Sequence, residues 1–176
     1  MIGYRFLCMT ALLLFPVALQ AADPFLGKWT LDAKRSKYLA ASCPQQMTIE
    51  MTPAANGVHY HSDTLLTNGT SFSADYTADY DDVPTLVSGA KGVLLPVSLH
   101  RVSPSVVIAK YMSGLETRAT SRRIVSPDGN TMTVTTSSRD GSGHVYTNIG
   151  VYKKSVPSVR SAFAPSKDKG DLQARR

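Results

Sequence analysis

The stretch SFSADYTADY, residues 71–80, puts Phe72, Ala74, Tyr76, Ala78 and Tyr80 on one side of an extended chain and Ser73, Asp75, Thr77 and Asp79 on the other. Such alternation marks a strand with one face in a core and the other in water. QQMTIEM (45–51) repeats it with Met47, Ile49 and Met51, and NTMTVTTS (130–137) sets Met132 and Val134 against threonines. SVVIAKYM (105–112) is strand-like with apolar residues on both faces. The abundance of threonine and valine suits a pleated surface. No amphipathic helix longer than a turn or two interrupts these runs.

Between the runs lie the turn clusters PAANG (53–57), TNGT (67–70), SPS (103–105), SG (113–114), SPDGN (126–130) and RDGSG (139–143). Links this short force neighbouring strands to be antiparallel. A meander of that kind escapes exposed edges by closing on itself. The pattern therefore predicts an all-β fold, an antiparallel up-and-down β-barrel of about 8–10 strands. A two-sheet sandwich is the alternative, and it needs a longer crossover, which the stretch 83–95 has room to hide.

The two ends of the chain differ from the middle. Residues 1–21 carry Arg5, then the short apolar run FLCMTALLLFPVAL, then small residues at Ala18, Ala21 and Ala22, the layout of a signal peptide cleaved near Ala21 or Ala22. The run is shorter than the roughly 18 residues of a membrane-spanning helix, so no membrane span is expected. Cys8 lies too early for a lipid anchor, and after cleavage Cys43 is alone, which excludes an internal disulfide and leaves it a plain loop residue. The formal charge of +6 is not spread evenly. Residues 22–152 hold 11 basic and 11 acidic side chains, whereas residues 153–176 hold 7 basic and 2 acidic. A basic tail is no nucleic-acid platform; residues 155–176 are expected to be a disordered, solvated end, with contact to an anionic surface as the alternative.

ADPFLGKWTLDAKRSKY (22–38) holds the chain's only tryptophan, two residues after Gly27. Gly27-x-Trp29 on a first strand resembles the lipocalin signature. More fully, Asp23, Pro24, Phe25, Gly27, Trp29, Leu31, Ser36, Lys37 and Tyr38 resemble the opening of the small secreted lipocalin-like domain proteins of bacteria. The likeness continues through YTADYDD to Gly89, SLHRV, SPDGNTMTVT and the closing Val151, Tyr152 and Lys154, spanning residues 22–154. It departs before Gly89, where Leu86 stands in place of a proline and Pro84 precedes it. The resemblance implies a calycin-type barrel plugged at one end by Gly27 and Trp29, with an arginine from a late strand across the indole. Arg122, Arg123 and Arg139 are the candidates for that arginine. It also implies an exported protein of the bacterial periplasm or exterior, but no substrate.

HYHSD places His59, His61 and Asp63 on one strand face, and two histidines at i, i+2 hold a metal if a third ligand such as His100 or His144 arrives. Val58, Tyr60 and Leu66 on the other face argue that these histidines look outward. Asp81-Asp82 is a turn rather than a glycosidase pair. No serine elbow, phosphate loop or Cys-x-x-Cys occurs, so no cofactor is expected and an enzyme ranks last. What remains is an inward stripe of Tyr60, Phe72, Tyr76, Leu99, Ile108, Met132, Val134 and Ile149. Barrels of this size either fill with side chains or hold one small ligand. The expectation is a monomer binding a small apolar molecule in its interior; the alternative is a non-catalytic structural or protein-interaction module with a filled core.

Overall fold

A computed structural model describes residues 22–39, 43–90 and 94–155. The expected signal peptide, the tail beyond Ser155 and the charge on that tail lie outside the described residues. Nine strands follow in order: β1 (Gly27–Leu31), β2 (Pro44–Ala54), β3 (Gly57–Leu66), β4 (Ser71–Asp79), β5 (Val97–Ser103), β6 (Val106–Ser113), β7 (Glu116–Val125), β8 (Thr131–Arg139) and β9 (Val145–Lys154). They form one sheet in the order β4-β3-β2-β1-β9-β8-β7-β6-β5. Every neighbouring pair is antiparallel. The six turn clusters each join two strands, and three are shaped by a carboxylate or amide oxygen taking backbone N–H groups two residues on: Asn68 from Thr70, Asp128 from Asn130 and Asp140 from Ser142.

Nine strands alternating in direction leave the two edge strands, β4 and β5, pointing the same way, so they cannot pair as antiparallel neighbours. Residues 81–88 resolve this by running between them, antiparallel to both. Thr85 exchanges backbone hydrogen bonds of 2.8 and 2.9 Å with Val97, and Ser88 exchanges bonds of 2.9 and 2.8 Å with Asp75. The stretch that had room for a sandwich crossover is instead a frayed tenth strand that nearly closes the barrel. Pro84, lacking an N–H, sits in its middle, where a regular ladder would need a donor. Leu86, the departure noted above, points into solvent at 82 % exposure.

β1 is the other seam. It pairs with β2 through Trp29↔Ile49 and with β9 through Trp29↔Lys154. Trp29 is fully buried beside Phe25, Met51, Val58, Leu99 and Met132, and its indole N–H donates to the Phe25 carbonyl at 2.8 Å. The Lys154 ammonium lies 4.9 Å from the ring centre and donates to the Pro24 carbonyl at 3.1 Å. The cation over the indole is therefore a lysine, correcting the expectation of Arg122, Arg123 or Arg139: Lys154 is opposite Trp29 in the β1–β9 register, and none of the three arginines is. Gly27 has φ of +112°, and a Cβ there would meet the Lys154 side chain at 3.2 Å, so both the backbone and the cation's path favour glycine.

The turn before β1 is clamped from across the barrel. Arg101 on β5 forms a two-pronged ion pair with Asp23, stacks 4.0 Å from the Tyr80 ring centre and lies 5.5 Å from that of Phe25. Asp23, Phe25, Trp29, Arg101 and Lys154 thus make one assembly that stops this end.

Trp29→Ala is expected to cost about 3–5 kcal/mol in denaturant unfolding, by loss of apolar contact and the cavity left behind. Because Trp29 is the only tryptophan, the native protein's emission measures the plug directly. A blue-shifted native maximum with a large stability loss in the variant is the expected result; emission like that of free indole, or an unchanged midpoint, contradicts it.

Candidate functional site

The interior has two halves of different character. Around Trp29 it is packed with Phe25, Met51, Val97, Leu99, Val107 and Met132, each at most 2 % exposed. Toward the other end, bulky groups give way to a cavity of about 230 Å³. Its apolar lining includes Met47, Ile49, Phe72 and Val134; its polar lining includes Tyr38, Tyr60, Thr64, Tyr111, Ser121, Arg123, Thr136 and Tyr152.

Strand alternation delivers these groups. Ser121, Arg123 and Val125 share the inward face of β7, while Arg122 points out. Arg123 is 4 % exposed and donates from Nη2 to the Tyr76 hydroxyl at 2.9 Å and to the Tyr111 hydroxyl at 3.2 Å. Its guanidinium lies 4.9 Å from the Tyr60 ring centre, and Tyr60 stacks on Tyr76 at 4.6 Å. Burial pushes the Tyr60 phenol up to about 12 and raises Tyr76 as well, so both stay neutral hydroxyls at ordinary pH. Ser121 and Thr136 share a 2.5 Å hydrogen bond across β7 and β8. Thr64 Oγ1 is buried without a partner among the described residues.

The wall beside Tyr152 depends on one glycine. β1 ends at Leu31, and beyond it residues 36–39 continue along β9, with Lys37 and Ile149 exchanging backbone bonds of 2.7 Å. Tyr38 from this segment reaches to 3.3 Å from the Tyr152 hydroxyl, which itself donates to Met47 Sδ at 3.1 Å. A Cβ at Gly150 would stand 2.4 Å from the Tyr38 oxygen. Only glycine lets the two rings meet there.

Of the inward stripe expected from the sequence, Tyr60, Phe72 and Val134 line the cavity. Tyr76 touches it through Arg123, and Leu99 and Met132 lie in the packed half. Ile108 and Ile149 are corrections. Ile108 pairs with His100 and Arg122 on the outer face, because β6 is apolar on both sides and Val107, Ala109 and Tyr111 are its inward set. Ile149 faces outward because Asn148, Gly150 and Tyr152 occupy the inward positions of β9. Arg123, Thr64 and Tyr111 were missed. Counting the alternation back from the SPDGN turn through Val125 would have turned Arg123 inward.

No protein-family model matches the chain, and no curated protein matches it. Among solved structures it is similar to zebrafish ileal bile acid-binding protein, determined in complex with cholic acid, at 9 % identity and a TM-score of 0.46 over 75 % of this chain and 99 % of that one. The barrel rests on the strand ladders described above, not on that likeness. No helix among the described residues is long and apolar enough to cross a membrane.

The histidines sit on the outer face of β3, as expected, and their ring nitrogens meet side chains of the protein. His61 Nδ1 lies 3.1 Å from Asp75 and its Nε2 3.2 Å from Asp63; His59 lies 3.1 Å from Thr77 and 3.5 Å from Asp75. His100 is instead 2.6 Å from Asp82, and His144 belongs to the β8–β9 turn, so neither supplies a third metal ligand. Among the described residues no group of three or more such side chains is placed to hold a metal.

The hydrogen bond to Asp75, aided by Asp63, raises the His61 pKa above its ordinary value of 6.5. A raised folded pKa gives stability that is present below the unfolded value and is lost as pH rises through the folded one. With its side chain 41 % exposed, the effect is small. His61→Gln should lower the melting temperature at pH 5.5 and leave it nearly unchanged at pH 9. An equal or larger loss at pH 9 contradicts the ion-pair assignment.

Proposed function

We propose that this protein is an exported, lipocalin-like barrel that binds one small, largely apolar molecule non-covalently in the hollow half of its interior, as a single chain and without catalysis. The cavity of about 230 Å³ carries the reading. It lies below the roughly 300–1,000 Å³ of pockets that enclose drug-sized ligands, so it suits a ring with a short side chain rather than a steroid or a long acyl chain. Two features support binding over simple imperfect packing. Thr64 Oγ1 is a buried polar atom whose hydrogen bond nothing else in the described protein completes. Convergent polar groups on one wall face Met47, Phe72 and Val134 on another, the mixture that fixes a small ligand's orientation. Export is supported by the leader-like pattern of residues 1–21.

NMR titration with benzyl alcohol and benzoate, both small enough to enter, tests the reading. Saturable shifts should concentrate on Tyr60, Phe72 and Val134. Phe72→Ala should weaken binding by about 1–3 kcal/mol through lost apolar contact, while Thr77→Ala on the outer face leaves it alone. Val134→Phe should fill the cavity and abolish binding while Trp29 emission stays native. Absence of saturable binding by either compound contradicts the reading and leaves the interaction-module alternative.

A further inference from the structure

Arg123 is a buried charge that the described protein does not neutralise. The residue is 4 % exposed, yet no carboxylate of the described residues lies within ion-pair distance of it, whereas Arg101 and Arg118 each have one. Both of its hydrogen bonds leave from Nη2, toward Tyr76 and Tyr111. An arginine carries five N–H donors; those on Nε and Nη1 have no partner among the described residues, and Arg123 lines the cavity. The partners it has are neutral, because burial raises the Tyr60 and Tyr76 phenols and none of that charge is offset by a phenolate. The tyrosines instead act as a mount: Tyr60 presents its ring face, and two hydroxyls hold Nη2, which fixes the guanidinium plane.

We infer that the cavity takes a compact monocarboxylate, its anionic head on the open edge of Arg123 and its apolar body against Met47, Phe72 and Val134. The inference rests on the cavity-binding reading above and names the ligand's charge and size. An unpaired buried cation is costly, and a planar carboxylate matches the geometry of a guanidinium edge and removes that cost on binding. Thr64, another residue of the same lining, has a buried Oγ1 that is also without a partner among the described residues. The volume suits a compact acid better than a steroid acid or a long-chain fatty acid.

Isothermal titration of the full chain with benzoate, its neutral counterpart benzyl alcohol, and cholate separates charge from size. The wild type is expected to bind benzoate at least tenfold more tightly than benzyl alcohol and not to bind cholate. Arg123→Met should bring benzoate down to the benzyl alcohol affinity, and Arg123→Lys should retain a preference for the acid. If the methionine variant fails to fold, the wild-type comparison and the lysine variant still decide. Equal or tighter binding of benzyl alcohol by the wild type overturns the anion assignment while the cavity reading stands. Cholate binding as tight as benzoate overturns the size limit. No binding of any of the three overturns both.

Discussion

Five residues of β1 hold the barrel shut. Gly27–Leu31 is the strand that pairs with both β2 and β9 and so joins the two halves of the sheet, and whatever anchors it anchors both. Backbone pairing over so short a strand is weak on its own, and the side chains make up the difference. Trp29 fills the interior from the middle of the strand, Phe25 returns its carbonyl to the indole, Lys154 closes over the ring, and Arg101 reaches across from β5 to grip Asp23. The termini of the barrel are thereby tied to its core by apolar burial and charge together. The Asp-Pro-Phe-x-Gly-x-Trp opening becomes intelligible residue by residue: turn anchor, turn former, lid, conformational joint and plug.

A stopped end has a consequence for the rest. With the apolar bulk concentrated around Trp29, the distant half of the interior is left to smaller and more polar groups, and there the chain does not fill its own volume. The same half contains the buried guanidinium and the orphan hydroxyl of Thr64. A packed end that supplies stability leaves the hollow end free to carry polar groups that a compact core would not tolerate. Among the described residues the seam between β4 and β5 is filled by the irregular 81–88 segment and a few backbone bonds, where local opening costs least.

Much of this architecture was legible from residue type and spacing. Alternation in 71–80 and 45–51 placed Tyr76, Phe72, Met47 and Ile49 on the inner face, and the glycine, asparagine and aspartate clusters marked all six hairpin turns. Legibility failed where the local pattern is symmetric or where the deciding contact comes from far along the chain. Ile108 lies in a strand apolar on both faces, so periodicity could not orient it. Ile149 faces out because its neighbours Asn148 and Gly150 take the inward positions, where Gly150 admits Tyr38 from more than a hundred residues earlier. Arg123 was read only as a candidate to cross Trp29; its strand register, set by a turn that begins three residues beyond, puts it among tyrosines instead. Lys154 rather than an arginine crosses Trp29 because pairing between the first and last strands, not chemistry alone, selects the cation.

The proposed carboxylate site in the hollow half of the barrel turns on Arg123 as its polar anchor. A crystal soaked with 4-bromobenzoate tests this most directly, since the bromine is located by its anomalous signal and the carboxylate by its density. The bromine is expected among Met47, Phe72 and Val134, with the carboxylate within hydrogen-bond distance of Arg123. Bromine found only on the outer surface, or a carboxylate turned away from Arg123 inside the cavity, contradicts it.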